Sequence, residues 1–262
     1  MSLRINSDFN GVTDPDAGAY IAAVEAADGQ LLEFGVGKAI NDFVVGCKQD
    51  RTWDAIKASC ILAGARTTNG ALVPLKGTAP TPVNFDLISN TDYNRKTGLV
   101  GNGSSKYLNS NRANNADPQN SNHNACWVTT TAVGVLMASS SSNTGQNYMD
   151  TNTSANTRFQ NRDALATTSI SGTTVAGLYG HNRSTSTQFT YKCPQGNGTA
   201  IFASQTPESR NVFLYTRSND GTTFSNWSSA RLAFYSIGES LDLALLDARV
   251  TALITAFGVA IP

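Results

Sequence analysis

The sequence predicts a mainly β protein: an antiparallel β-sandwich preceded by a small helical module and followed by one C-terminal helix. Three observations carry this. Apolar residues recur every three or four positions up to about residue 64, every second position beyond a proline-bearing stretch at 72–82, and at helical spacing again after Gly238. The strand-like runs are short, and Asn/Gly turn residues separate them, which favours an antiparallel sandwich over a βαβ arrangement. No internal repeat of fixed period is present, so a solenoid, propeller or repetitive shaft is not expected.

The first module is expected over residues 1–70 as three short helices. Asp14-Pro15 supplies an N-cap and a proline at the first helical position, and Tyr20, Ile21 and Val24 form a stripe that ends near Gly29. Val36, Ile40, Phe43, Val44 and Cys47 make a second stripe. Trp53, Ile56, Cys60 and Ile61, behind Thr52 and ahead of Gly64, make a third. Helices this short bury little alone, so they are expected to dock on each other and on a larger body. Residues 71–82, with Pro74, Pro80 and Pro82, read as a linker or crossover.

Residues 83–262 are expected to form the sandwich and the final helix. Residues 127–136 alternate in period two, as do residues 188–192; 211–217 is a strand turned by Asn219-Asp220-Gly221, and 231–237 is an aromatic-rich strand. Between Gly101 and Ala125 eight asparagines crowd among Ser, Gly and Ala, which predicts a largely exposed polar loop after a strand at 99–108 and a candidate contact surface. In the C-terminal helix Ser240 is the expected cap, Asp242 lies in the first turn, and Leu243, Leu246, Val250, Leu253, Ile254 and Phe257 form the stripe before Gly258.

Composition narrows the function. Charged residues are 15% of the chain, against about a quarter in ordinary soluble domains, so solvation rests on neutral hydrogen-bonding groups that suit polar, uncharged partners. Lys plus Arg and Asp plus Glu are 19 each and no basic run occurs, so no nucleic-acid partner is expected. No stretch of about 20 uninterrupted apolar residues and no signal-like N-terminus at 1–6 is seen, so neither membrane insertion nor secretion is expected. The five Asn-x-Ser/Thr matches, at Asn102, Asn152, Asn182, Asn197 and Asn226, then reflect composition rather than glycosylation. Cys47, Cys60, Cys126 and Cys193 lack metal-ligand spacing and are expected to be reduced and buried.

Catalytic and cofactor patterns are absent from the sequence. His123 and His181 stand outside any H-E-x-x-H, there is no G-x-S-x-G, and Gly35-Val36-Gly37-Lys38-Ala39 lacks the first Gly and the Ser/Thr of a phosphate loop. No catalytic residue, cofactor or metal ligand is assigned. Sugar recognition stacks an aromatic ring on a pyranose face and fixes hydroxyls with Asn, Asp or Ser, which makes Tyr148 in Asn147-Tyr148-Met149 and Trp227 in Asn226-Trp227-Ser228 the candidates. His181, in Gly180-His181-Asn182-Arg183, is added as a solvated loop residue able to touch a ligand.

The run Gly177-Leu178-Tyr179-Gly180, the strands at 188–193 and 212–217, and Arg231-Leu232-Ala233-Phe234-Tyr235-Ser236-Ile237-Gly238 before a capped helix resemble the laminin-G/concanavalin-A-like (lectin-like, jelly-roll) modules of phage virion proteins. Asp14-Pro15-Asp16-Ala17, Ala39-Ile40-Asn41-Asp42-Phe43-Val44 and Trp53-Asp54-Ala55-Ile56-Lys57 resemble the helical leader attached to such sandwiches. The resemblance implies a non-enzymatic virion surface protein assembled in a host cytoplasm, with other virion proteins as partners and a homotrimeric state. It implies host attachment through a cell-surface glycan, as a tail-fibre or spike tip. The alternatives are a capsid decoration, cement or head-fibre protein without ligand, a glycan-degrading tailspike-like enzyme, and a bacterial adhesin. Asp86, Asp92, Asp117, Asp150 and Asp163 do not match the calcium cluster of such lectins.

Overall fold

The computed structural model describes residues 11–140, 144–164 and 167–262; the N-terminal segment 1–6 read above lies outside them. The chain begins with helices α1 (Pro15–Asp28) and α2 (Phe34–Gln49), strand β1 (Ile56–Ile61) and a single helical turn, α3 (Thr68–Ala71). Short strands follow: β2 (Thr81–Val83), β3 (Tyr93–Asn94), β4 (Gly98–Val100), β5 (Tyr107–Ala113), β6 (Asn122–Thr130) and β7 (Gly134–Ala138). Then come β8 (Gln146–Thr153), β9 (Asn156–Asp163), β10 (Thr168–Ser171), β11 (Gly177–Arg183), β12 (Phe189–Cys193) and β13 (Gly196–Ala200). The chain closes with β14 (Asn211–Leu214), a small hairpin of β15 (Arg217–Ser218) and β16 (Phe224–Ser225), β17 (Arg231–Gly238) and helix α4 (Leu243–Ala260).

Among the described residues the strands form two large antiparallel sheets. One runs β13-β12-β11-β6-β17-β4-β3, with β1 paired to the other half of β17; the second runs β10-β9-β8-β7-β14-β5-β2. Side chains alternate across each strand, so Met149, Phe159, Leu108 and Leu214 meet Cys126, Val128, Tyr179 and Leu232 between the sheets, and all are fully buried. The opposite face of the first sheet is closed by helices. Phe43 of α2 meets Phe234 of β17 edge-on at 5.6 Å, and Leu243 of α4 sits over Gly180 of β11. The hydrophobic core runs without a break from Val12 to Ile261, across the proline-bearing stretch 71–82.

The capping signals are used as written for α1: the Asp14 carboxylate accepts from the Asp16 and Ala17 amides, and Gly29 ends the helix at φ 67°. In α4 the cap is Asp242 rather than Ser240, its carboxylate accepting from the Ala244 and Leu245 amides. Leu243, Leu246, Val250, Leu253 and Phe257 are buried, whereas Ile254 is only half-buried. The helix runs antiparallel to α2. The two backbones approach closely because Gly35 and Gly46 lack side chains: a Cβ would lie 2.7 Å from Ala260 Cβ at one end and 2.7 Å from Arg249 Cδ at the other. Arg249 then reaches Asp50 bidentately at 2.7 and 2.9 Å. By length and composition α4 is apolar enough to cross a membrane, yet its stripe packs inward and Asp247 and Arg249 pair with Lys192 and Asp50.

Three sequence expectations are corrected. Residues 53–61 are not a third helix but a short 3-10 turn at Trp53–Ala55 and then β1, because Ile61, Cys60, Ser59 and Ala58 pair with Phe234 to Ile237 and are covered on both faces. Residues 127–136 are not one strand. The run breaks after Thr130, and β6 and β7 join different sheets. The asparagine-rich stretch 101–125 is not an exposed loop: Leu99 and Leu108 lie on strands of opposite sheets, β5 and β6 occupy much of it, and Asn114, Asp117, Asn122, His123 and Asn124 are buried.

That last correction has a physical cause in the buried Arg162, and a second buried arginine, Arg183, plays the same part for segments later in the chain. Arg162 donates to the carbonyls of Asn114, Asp117 and Pro118, and Arg183 to those of Asn161, Gln188 and Phe202. Their guanidinium groups satisfy loop carbonyls that would otherwise be buried unpaired, so polar chain can lie inside the sandwich. Asn147 adds to the network by donating to Asn114 Oδ1 at 2.6 Å.

Candidate functional site

The outward face of the second sheet carries a cluster of polar and aromatic groups drawn from several strands. On β8 the two-residue period sends Met149 inward and turns Tyr148 and Asp150 out. Arg158 stands directly across from Asp150 on β9 and donates to both of its oxygens, through Nε at 2.9 Å and through Nη2. The Tyr148 hydroxyl donates to Asp150 Oδ2 at 2.5 Å and accepts from Arg158 Nη2 at 3.1 Å. Burial, then the adjacent Asp150 carboxylate, pushes the Tyr148 phenol well above its ordinary range, so it stays a hydroxyl.

The chain from β15 to residue 227 folds over this face. Asn226 donates to Tyr148 Oη at 2.9 Å and to Asp150 Oδ2 at 3.4 Å. Arg217 lies 5.6 Å from the centroid of the Tyr148 ring, the same distance as Arg158, and its Nε donates to Ser225 Oγ at 3.3 Å. Beside them Phe224 stacks on Tyr107 at 4.4 Å, and Trp227 closes the cluster 5.9 Å from Tyr107 and 6.1 Å from Phe224. Tyr107, Phe224, Asn226, Trp227 and Arg217 are all half-buried, so each keeps an edge in solvent.

The backbone holds this segment in a costly conformation. Tyr215, at φ 71°, and Asn226, at φ 56°, both occupy the left-handed region, and Tyr215 is a fully buried aromatic for which that region is disfavoured. Hydrogen bonds at the root compensate: Ser228 N to Tyr215 O at 2.9 Å, Val135 N to Asn226 O at 3.0 Å, and Tyr215 Oη to Leu99 O at 2.8 Å. Gly134 permits the close approach, since a Cβ there would sit 2.2 Å from Trp227 O. The kink at Asn226 aims its amide at Asp150 and leaves Trp227 on the rim.

The three sequence candidates separate. Trp227 stands half-exposed on the aromatic rim, where a ring can meet a ligand. Tyr148 is 3% exposed, with its ring between arginines and its hydroxyl bonded on three sides, so it positions neighbours rather than offering a stacking face. His181 is on strand β11, not in a solvated loop. It is fully buried, its Nδ1 accepts from Asn161 Nδ2 at 2.8 Å, and burial lowers its pKa to about 3. No external sugar reaches it. Asp150, Arg158, Arg217 and Asn226 were not selected from sequence, because they come from three separate chain segments.

Other reactive geometry lies out of reach of solvent. Ser236 Oγ donates to His123 Nε2 at 2.7 Å while His123 Nδ1–H donates to the Glu239 carbonyl at 2.6 Å, but both side chains are fully buried. Burial also lowers the His123 pKa to about 4, a weak base for activating a hydroxyl. All four cysteines are free and buried, with burial pushing Cys47 and Cys60 up to about 12. Among the described residues no three His, Cys, Asp or Glu side chains group as metal ligands.

No protein-family model and no curated protein matches this sequence. Similarity appears among solved structures. A mutant of Trypanosoma rangeli sialidase displaying trans-sialidase activity matches over 83% of this chain and 39% of that one, at 9% identity and a TM-score of 0.51. The botulinum neurotoxin serotype D binding domain matches over 76% of this chain and 51% of its own, at 12% identity and a TM-score of 0.49. Ruminococcus gnavus IT-sialidase CBM40 bound to α2,3-sialyllactose matches over 50% of this chain and 82% of its own, at 10% identity and a TM-score of 0.39. Such identities speak to fold alone: the chain is a mainly β, antiparallel sandwich-like protein with a C-terminal helix.

Proposed function

We propose that the protein is a glycan-binding attachment module that holds its ligand without turnover and is displayed on a virion surface. The observation that supports binding is the continuity of the Trp227, Phe224 and Tyr107 rim with the fixed guanidinium and amide groups of Arg217 and Asn226. A sugar presents an apolar ring face and a polar hydroxyl edge, and this surface offers the complement of both. Turnover is disfavoured by the state of Asp150, the acid at the centre of the cluster. Arg158, Tyr148 and Asn226 occupy its oxygens, and glycosidic hydrolysis needs two available carboxyls about 5 to 10 Å apart.

The virion setting comes from the sequence resemblance. Assembly, as a homotrimer and onto other virion proteins, is assigned in this proposal to the end where α2 starts and α4 finishes. There Leu31, Phe34 and Val259 are 62%, 58% and 85% exposed. The same observation favours the second reading, a capsid decoration protein that docks by this end and takes no ligand.

The test is a glycan array probed with the wild-type protein and with Trp227→Ala, alongside incubation with host capsule and lipopolysaccharide. Binding that weakens about tenfold in the variant while its melting curve is kept supports the proposal. Shortened glycan products would replace it with the enzyme reading, and an array without binding would favour decoration.

A further inference from the structure

We infer that the outer-face site selects an anionic sugar, and that Arg217 is the residue that selects it. The inference rests on the glycan-binding reading of this face and goes beyond it by naming the ligand's charge class.

The argument starts from a charge imbalance. Two guanidinium groups lie 5.6 Å from the same Tyr148 ring, and one carboxylate, Asp150, is bonded to that tyrosine's hydroxyl. Asp150 is matched to Arg158, its direct cross-strand partner, and that pair is bidentate. The remaining donors on Asp150 are Tyr148 and Asn226, so Arg217 makes no hydrogen bond or ion pair to it. Arg217 makes one polar contact from Nε, to the neutral Ser225 hydroxyl, and no ion pair with any described residue. Its Nη1 and Nη2 groups, the pair of an arginine fork best suited to meet two oxygens of one anion, carry no hydrogen bond to a described residue.

Location makes this imbalance a recognition feature rather than an ordinary solvated cation. Arg217 is half-buried, and its position is fixed by the ring beneath it and by the pairing of Arg217 with Ser225 in the β15–β16 hairpin. Ser225 is followed by Asn226 and Trp227, so the free end of the guanidinium, the amide and the indole belong to one short stretch of surface. Two guanidinium groups held near one ring repel each other; Asp150 offsets one, and an anion from the ligand would offset the other. A sugar stacked on the rim and bearing a carboxylate or a sulfate supplies that anion. Both groups present paired, charged oxygens to the Nη atoms, and a neutral sugar offers them only hydroxyls.

The experiment uses the intact protein on an array of glycans in matched neutral, carboxylated and sulfated forms, followed by calorimetric titration of the best ligand. Wild type, Arg217→Gln, Arg217→Lys and Trp227→Ala are compared. The expected result is a preference of about tenfold or more for an anionic form over its neutral parent, weakened by added salt. Arg217→Gln should weaken binding of the anionic form about tenfold or more and of its neutral parent by clearly less, so that the preference is lost, and Arg217→Lys should restore part of it. The array identifies whether carboxylate or sulfate is the group recognised. Equal binding of neutral and anionic forms, or a preference that survives Arg217→Gln with an unchanged melting curve, would overturn this inference and leave the glycan site standing. Absence of binding to any glycan would overturn both.

Discussion

Asp150→Ala is the substitution that most directly tests whether the outer face is a built site. Asp150 is fully buried and receives the Tyr148 hydroxyl, two Arg158 donors and the Asn226 amide. Removing it leaves the buried Tyr148 hydroxyl as a donor without an acceptor, which costs about 1–3 kcal/mol. It also strips Arg158 of its counterion. The Arg158 side chain is 29% exposed, so water recovers part of that loss and the added cost is about 1 kcal/mol rather than the larger figure for a sealed ion pair. The sum of roughly 2–4 kcal/mol corresponds to a fall in Tm of about 5–15 °C for a domain of this size. Asp150→Asn keeps an oxygen for Tyr148 and should cost only about 1 kcal/mol. Thermal unfolding followed by circular dichroism, checked by urea titration with an unchanged m-value, reads both. An Asp150→Ala protein that melts with wild type would show that the network does not organise this face. The proposed binding site would then lose its physical basis.

Three further outcomes follow from the interior. Leu253, 2% exposed on the α4 stripe and facing Ala39 and Phe43, should not tolerate Asp: the change forces a carboxylate into an apolar contact and should cost at least about 3 kcal/mol. A chain ending at Gly238 should be insoluble or lose its assembly; an unchanged Tm and oligomeric state in either protein would make α4 a dispensable tail. Acid should destabilise the fold between about pH 6.5 and 4 through its two buried histidines. Folded His123 stays neutral down to about 4 and His181 to about 3, whereas an unfolded histidine takes up a proton near 6.5. The unfolded state therefore binds more protons in that window, and stability falls as pH falls. His181→Phe should make the urea midpoint less steep in pH, and an identical slope would assign the acid sensitivity to other groups.

Much of the architecture was legible because its signals are local. Asp14-Pro15 and Gly29 bound α1, the Leu246-Val250-Leu253-Phe257 stripe marks α4, and Asn219-Asp220-Gly221 turns the β15–β16 hairpin. What misled were residues whose environment is set by partners far along the chain. Ile56, Ala58, Cys60 and Ile61 are covered on both faces of β1, and a strand buried on both faces has no alternation to distinguish it from a helix. The break between β6 and β7 carries Thr131 and Val133, good strand formers, on either side of Ala132, so no turn residue marks the change of sheet before Gly134.

The asparagine-rich stretch and the candidate site failed to show for a related reason. Polarity predicts exposure at Asn114, yet a polar side chain requires a hydrogen-bond partner and not necessarily water. Arg162, 48 residues beyond Asn114, supplies such a partner to it, and no local pattern encodes that meeting. The outer-face cluster is assembled the same way, from alternate residues of β8, a cross-strand arginine on β9 and a kinked segment some seventy residues later. Sequence exposed Tyr148 and Trp227 because aromatics set among asparagines stand out one at a time. Asp150 and Arg158 look like ordinary surface charges until strand pairing places them opposite each other. Asn226 looks like a turn residue until its φ of 56° aims its amide at them. A sandwich therefore hides its sites more thoroughly than its strands: a strand is specified by its own alternation, whereas a site on a sheet face is specified by register, which is a property of pairs.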